Sequence, residues 1–453
     1  MDSPPPEATL EAAAAEQSVA VRVFALVMAR VGMIGSIGSS FAVFGLQALH
    51  SILLARLLGP VGRGEYGTAM LFTQTMLFVG LAGTLYSIAR RAMESSEAGS
   101  DENIPLRRAA VRVGAITGLS SMAVAMCLSY AAVPSDKRHV LILCFVCSMM
   151  LPLEHMRLTL LAVDHGKGDF RRYNIARVFA AAVFPVIVLF LFLNQWDSLP
   201  LIAGLTVLVP VIGLVQYAAM TGYWNPFGPA SPTSARLIRE GAGDGLAVLA
   251  GDMFDRLGHI LLLWMVSMKD YGFYITALPA ASLLLVGPHT FALYSFRSGS
   301  AGEGLTRRQV AGRMVVILVF QTAALAALWF VIEPLLDLLF QDEFDGIVPV
   351  AKVLLFAMAA HGCGLVGDGF LRGCGKGSYG VLTRIVAAVV MLVSAFSLPI
   401  GESLIRISMA MAIGYAAGAL LTAFLCLRFA VESGTPNQEM PSSDEDRLAV
   451  IES

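Results

Sequence analysis

Stretches of apolar residues long enough to cross a bilayer run through almost the whole chain, and no other feature of the sequence constrains the fold as strongly. A hydrocarbon core of ~30 Å is crossed by ~20 residues of α-helix. Windows of that size fall at approximately 31–54, 66–88, 110–133, 139–162, 175–193, 200–222, 244–265, 274–295, 311–332, 347–371, 379–400 and 407–428. They predict an all-α, polytopic membrane protein of about twelve transmembrane helices. Helices follow because lipid leaves backbone polar groups without water, so only helices and closed barrels span it. The alternating ten-residue pattern of a barrel is absent. Composition agrees: 57% of the 453 residues are apolar and 14% charged, with a mean hydropathy of +0.72, against ~25% charged in soluble domains. So apolar a surface would not stay dispersed in water. A disordered chain, a collagen and a nucleic-acid-binding protein are excluded, and the composition argues against a soluble enzyme.

The net charge of −2 says nothing about partners, but the placement of the charges does. The N-terminus, the even-numbered loops and the C-terminus hold 22 Lys and Arg, among them Arg90, Arg91, Arg107, Arg236 and Arg372, whereas the odd-numbered loops hold 6. The positive-inside rule then places both termini in the cytoplasm, and one missed helix would scramble the asymmetry downstream. The expected organisation is a cytoplasmic N-terminal segment 1–30, either a loose tail or a surface helix, and a first six-helix bundle 31–222. A cytoplasmic linker 223–243, a second six-helix bundle 244–430 and an acidic tail 431–453 follow. The tail is polar, acidic and rich in Gly, Pro and Ser, which predicts disorder. No basic n-region opens the chain, so no cleaved signal peptide is expected.

The two halves are related. With a shift of 208 residues, Leu46–Met70 aligns with Phe254–Leu278 without a gap, and eight of 25 positions match. The Gly64/Gly272, Tyr66/Tyr274, Thr68/Thr276 and Ala69/Ala277 matches are harder to ascribe to composition than the apolar ones. Six spans separate the copies, so both halves enter the membrane in the same direction. Two parallel bundles about an axis normal to the bilayer are a transporter pattern, with the binding site between them near the midplane.

Charge near that midplane is the second functional signal. The 244–265 window carries Asp252, Asp255, Arg256 and His259 close to its middle, where each ionised group costs roughly 2.5–3.5 kcal/mol on insertion scales. Asp252 with Arg256 and Asp255 with His259 are i,i+4 pairs, and all four lie within about a third of the helix circumference. They read either as a cluster that locks packing or as the lining of an aqueous cavity, and intramembrane ionisable groups favour the second. The repeat sets Gln47 opposite Asp255, with His50 and Ser51 one turn on. Glu154, His155 and Arg157 in the fourth window, and His361, Asp368 and Arg372 in the tenth, suit either structure or function; Glu154 pairs with Arg157 by spacing, and Asp368 suits cation coupling or a packing pair. Gln74, His289 and Gln321 are read as satisfied buried groups. Bends are expected at Pro279 and Pro288, and at Pro152, Pro185, Pro210 and Pro349.

Enzyme signatures are missing: there is no Walker loop, no G-x-S-x-G, no H-E-x-x-H and no loop long enough for a catalytic domain. Cys144-Phe-Val-Cys147 has redox spacing but no βαβ context, and reads as two buried thiols. No catalytic residue, metal site or cofactor is expected.

Three motifs carry a resemblance. Leu53-Leu-Ala-Arg-Leu-Leu-Gly-Pro-Val-Gly-Arg-Gly-Glu-Tyr66, Phe170-Arg-Arg-Tyr-Asn-Ile-Ala-Arg177 and Leu237-Ile-Arg-Glu-Gly241 resemble bacterial polysaccharide exporters. These Wzx-like flippases of lipid-linked oligosaccharides belong to the superfamily shared with multidrug and toxin extrusion transporters. The resemblance covers roughly residues 30–430. It implies two parallel six-helix bundles around a central cavity lined by spans 1, 2, 7 and 8, which rock to move a pyrophosphate-linked glycan outward. Arg256 becomes the headgroup contact, since guanidinium pairs well with phosphate; Asp252, Asp255, His259, Gln47 and His50 become cavity lining. Asp252 and Asp255 depart from the cationic cavity usual in the family and, with Asp368 and Glu154, leave room for coupling to H+ or Na+. The implied setting is the bacterial inner membrane, with capsule, exopolysaccharide or O-antigen as product. Membrane lipids and polysaccharide-assembly proteins are the implied partners, and nucleic acid is not. A cation-coupled drug exporter on the same fold is the rival reading. A membrane glycosyltransferase or polymerase is the other, and of its expected acidic loop pair only Asp342-Glu-Phe-Asp345 is present.

Overall fold

The computed structural model describes residues 6–81, 83–97, 103–300, 306–340, 344 and 346–430; within these, the side chains of 6–34, 36–37, 97, 103, 243–252, 255, 293–294 and 297–300 are not described. The acidic tail and most of the Asp342–Asp345 segment therefore lie outside the described residues. Among those residues the chain is helical throughout, and ten helices are long and apolar enough to cross a membrane.

Helix α1 (Pro6–Gly80) holds two crossings, because it breaks at Gly59. There φ is +63°, a left-handed conformation that glycine adopts without a Cβ clash, and Pro60 opens the return arm. Next come α2 (Thr84–Glu97), α3 (Asn103–Ala132), α4 (Leu141–Ser148), α5 (Leu151–Gly166), α6 (Phe170–Leu193) and α7 (Leu199–Thr221). The second half holds α8 (Ser234–Met265), α9 (Met268–Ser282), α10 (Val286–Ser300), α11 (Arg307–Phe340), α12 (Ile347–Gly373), α13 (Ser378–Ser397) and α14 (Ser403–Phe429). Helices α4 and α5 together make one crossing, as do α9 and α10. With the two arms of α1 counted separately, the ten helices make eleven crossings, and α8 with its charged middle stands at the place of the remaining window. The largest apolar core joins α9, α11, α12 and α14 around the fully buried Leu354 and Leu355 of α12.

Several details depart from the expected boundaries. The second crossing is the 60–80 arm rather than 66–88, because the turn at Gly59 is only a residue or two long; α2 follows it as a separate helix. The linker is also shorter than expected: α8 starts at Ser234, since Leu237 is fully buried and packs with Ile88 and Ala92 of α2. Proline bends a span only where neighbouring elements use the break. Pro152 opens α5 after the gap from α4, and a 3-10 turn at Leu283–Leu285 separates α9 from α10 between Pro279 and Pro288. Helices α6 and α7 run unbroken through Pro185 and Pro210.

The connections after even-numbered crossings carry most of the Lys and Arg, and this is called the arginine-rich end. The Gly59 turn and the α8–α9 junction lie at the opposite, arginine-poor end.

Candidate functional site

The halves meet along α1, α8 and α9, at three levels. At the arginine-poor end the return arm of α1 and the start of α9 touch backbone to backbone. A Cβ on Gly64 would overlap the carbonyl oxygen of Met268, and a Cβ on Gly272 would overlap that of Pro60. Positions 60 and 268, like 64 and 272, are 208 apart, so the two contacts exchange under a pseudo-twofold axis that passes between the glycines. The other matched residues explain how this approach is held. The Tyr66 hydroxyl lies 3.1 Å from Thr206 Oγ1 of α7, and the Tyr274 hydroxyl donates to Met411 Sδ of α14 at 3.3 Å. Each tyrosine fastens its span to its own half while the glycine two residues earlier faces the other half. Lys137, in the turn before α4 and 7% exposed, reaches across the same end. Its ammonium donates to the carbonyl of Val266 at 2.6 Å and to that of Leu263. These carbonyls end α8, where four C=O groups lack helical partners and a cation is favoured.

At mid-membrane, Arg256 Nη1 donates to Gln74 Oε1 at 3.3 Å, joining α8 to the return arm of α1. Gln74 is exposed and Arg256 half-buried. Phe44 stacks on His289 with ring centroids 6.5 Å apart, a second contact across the halves. Gln74 and His289 are thus exposed, not buried as expected from sequence. Gln321 is buried, at 1% exposed, and its Nε2 donates to the Leu284 carbonyl while its Oε1 has no hydrogen-bond partner. The helix periodicity that grouped Arg256 with His259 does not place them together. His259 is buried against Tyr271 and Tyr274 of α9, with ring centroids 6.4 and 5.0 Å away. The His50 ring sits edge-on to Phe184 of α6 at 4.9 Å, inside the first half, while Gln47 is exposed. The side chains of Asp252 and Asp255 lie outside the described residues.

At the arginine-rich end, α2 clasps the start of α8. Arg91 Nε and Nη2 donate to the two carboxylate oxygens of Glu240 at 3.2 and 2.5 Å, Arg236 adds a bond of 2.8 Å, and Ser87 Oγ donates to the Leu237 carbonyl at 2.8 Å. The Arg91 and Arg236 hydrogen bonds hold the Glu240 carboxyl well below the usual range, at about 2.

The other nominated carboxylates are paired within their own half. Glu154 accepts from Arg157 Nε at 2.8 Å. Asp368 accepts from Arg384 Nη2 of α13 at 2.8 Å, and Arg384 also approaches His361 Nδ1 at 3.3 Å. A third pair, Arg107 with Asp164 at 2.8 Å, joins α3 to α5. Among the described side chains, no group of three or more His, Cys, Asp or Glu could hold a metal ion. Cys144 and Cys147 are buried free thiols, not joined by a disulfide.

Sequence reasoning missed Lys137, which reads as an ordinary loop cation, and the receiving role of Gln74. The signal for the glycine contact was present in the repeat, but a sequence match does not say that matched residues touch.

A duplicated, all-helical membrane protein whose halves meet about a pseudo-twofold axis is the architecture of a transporter. It has the fold of the multidrug and toxin extrusion (MATE) transporters. A multidrug resistance MATE-family transporter of the MOP superfamily in an inward-facing conformation superposes with a TM-score of 0.69 at 16% identity, over 84% of this chain and 93% of the other. An outward-facing conformation of such a transporter gives 0.62 at 14%, over 87% and 94%. A MATE protein in its straight conformation gives 0.60 at 15%, over 88% and 94%. Residues 31–295 match the family of polysaccharide biosynthesis proteins, and the chain belongs to that family. No curated protein matches the chain.

Proposed function

We propose that this protein flips lipid-linked oligosaccharide across the bacterial inner membrane for capsule, exopolysaccharide or O-antigen synthesis, by alternating access and without catalysing a reaction. The observation that carries the reading is Arg256, a mid-membrane cation in a polysaccharide-biosynthesis chain, whose described partner is the neutral amide of Gln74 on the opposite half. A guanidinium there can exchange an amide for a phosphate oxygen, because it offers several donors in a planar fork. The positive-inside rule supports a cytoplasmic arginine-rich end and cytoplasmic termini. In this reading the glycine contact and the Lys137 bonds hold the extracytoplasmic end, and the Arg91–Glu240 clasp holds the cytoplasmic one. Coupling to H+ or Na+ falls to Asp252 and Asp255 in this reading, since Glu154 and Asp368 are each held by an arginine.

Arg256→Ala in a strain dependent on this chain should abolish surface glycan while the protein still inserts and accumulates. Unchanged glycan export sinks the assignment of Arg256. The rival reading, a cation-coupled drug exporter, draws on the MATE-like fold. It predicts drug sensitivity without glycan loss on deletion.

A further inference from the structure

A cavity lies away from the seam between the halves. It measures about 350 Å³ and lies between α11 and α14, with α12 as its floor. The floor is built from Ala360, Cys363 and Gly367, and the facing wall of α14 from Ala416, Ala419 and Ala423; these short side chains create the space. Leu318 and Leu420, 57% and 73% exposed, flank its mouth, so it opens sideways where hydrocarbon surrounds the protein.

Its depth is fixed by the directions of the three helices. Helix α12 runs toward the arginine-rich end, and the lining extends from Ala360 at its middle to Phe370 near its close. Ten residues at 1.5 Å make about 15 Å, half of a ~30 Å core. Helices α11 and α14 contribute the matching levels, Val310–Leu318 and Ala416–Ala423. The cavity is thus one leaflet deep and almost wholly apolar, with polar lining from Arg313 and the buried Ser295. Arg313 lies near the arginine-rich end, about two turns from the exposed Arg307 and Arg308 that begin α11. Basic pockets between membrane helices on the cytoplasmic side suit phosphate headgroups.

We propose that this cavity is a resident site for one acyl chain of an anionic phospholipid of the arginine-rich leaflet, with the lipid phosphate at Arg313. An apolar slot alone would take any lipid tail; the arginine at headgroup depth gives the preference for negative charge. The site shares no residue with the seam, so it stands apart from the proposed passage of the glycan.

Native mass spectrometry of the full-length protein tests it, after equilibration in detergent with equal phosphatidylglycerol and phosphatidylcholine. One phosphatidylglycerol should be retained at least threefold over phosphatidylcholine. Arg313→Gln should abolish the preference, and Ala416→Phe should abolish retention of both lipids. Leu189→Phe, on the exposed face of α6, should change neither. Equal retention of the two lipids, retention indifferent to both groove variants, or a retained mass matching a prenyl-linked sugar would overturn the proposal. Should Ala416→Phe fail to fold, Leu420→Trp at the exposed mouth gives a second readout. Its fluorescence should be quenched more strongly by brominated phosphatidylglycerol than by brominated phosphatidylcholine, and equal quenching refutes the site.

Discussion

At the scale of single residues, charge inside this protein is handled in two ways. Asp368 with Arg384, and Asp164 with Arg107, are carboxylate–guanidinium pairs with side chains at most 12% exposed. Breaking a buried pair from one side leaves a stranded charge, which costs about 3–5 kcal/mol, whereas replacing both members by apolar residues is often neutral. Asp368→Leu should therefore lower the unfolding midpoint of the solubilised protein markedly, and adding Arg384→Leu should restore most of it; no recovery in the double variant would mean that the pair does more than neutralise itself. Lys137 is handled differently, by carbonyls at a helix end. Lys137→Met should leave expression intact but loosen the arginine-poor end, so that a cysteine introduced at Ser267 reacts faster with a membrane-impermeant thiol reagent. An unchanged rate would show that the lysine does not hold the seam.

At the scale of elements, the decisive contact is between the return arm of α1 and α9. A Cβ at either glycine meets peptide backbone, which cannot move aside as a flexible side chain could. Gly272→Val and Gly64→Val should each abolish glycan export while the protein still accumulates. Gly204→Ala in α7, where nothing lies within 4 Å of the added carbon, should be tolerated and gain up to about 1 kcal/mol of helix stability. Elements were also the most legible level of the sequence. Hydropathy located the long apolar helices because lipid leaves no water for unpaired backbone groups. It could not set their ends: α8 begins early because Leu237 finds a neighbour on α2, and α6 ignores Pro185 because its surroundings support a straight helix. The site was less legible for a related reason. Helical spacing puts Asp252, Asp255, Arg256 and His259 on one broad face, but a face that wide touches two environments. His259 falls among the tyrosines of α9, while Arg256 reaches the opposite half.

At the scale of the whole molecule, the halves are joined at both ends by unlike means, backbone contact at one and an ionic clasp at the other. Glu240 is the titratable part of the clasp. Its carboxyl is pulled from 4.5 to about 2, so its contribution is complete above pH 4.5 and is lost as the pH falls toward 2. The distance between spin labels placed on α2 and at the start of α8 should lengthen across that window in the parent protein and stay flat in Glu240→Gln. An identical slope in the variant would assign the effect to other groups.

The exchange symmetry of the glycine contact has a mechanical consequence. Since Gly64 rests on Met268 and Gly272 on Pro60 about one shared axis, a separation of the halves that keeps that axis lifts both contacts together, so the pair acts as one latch rather than two.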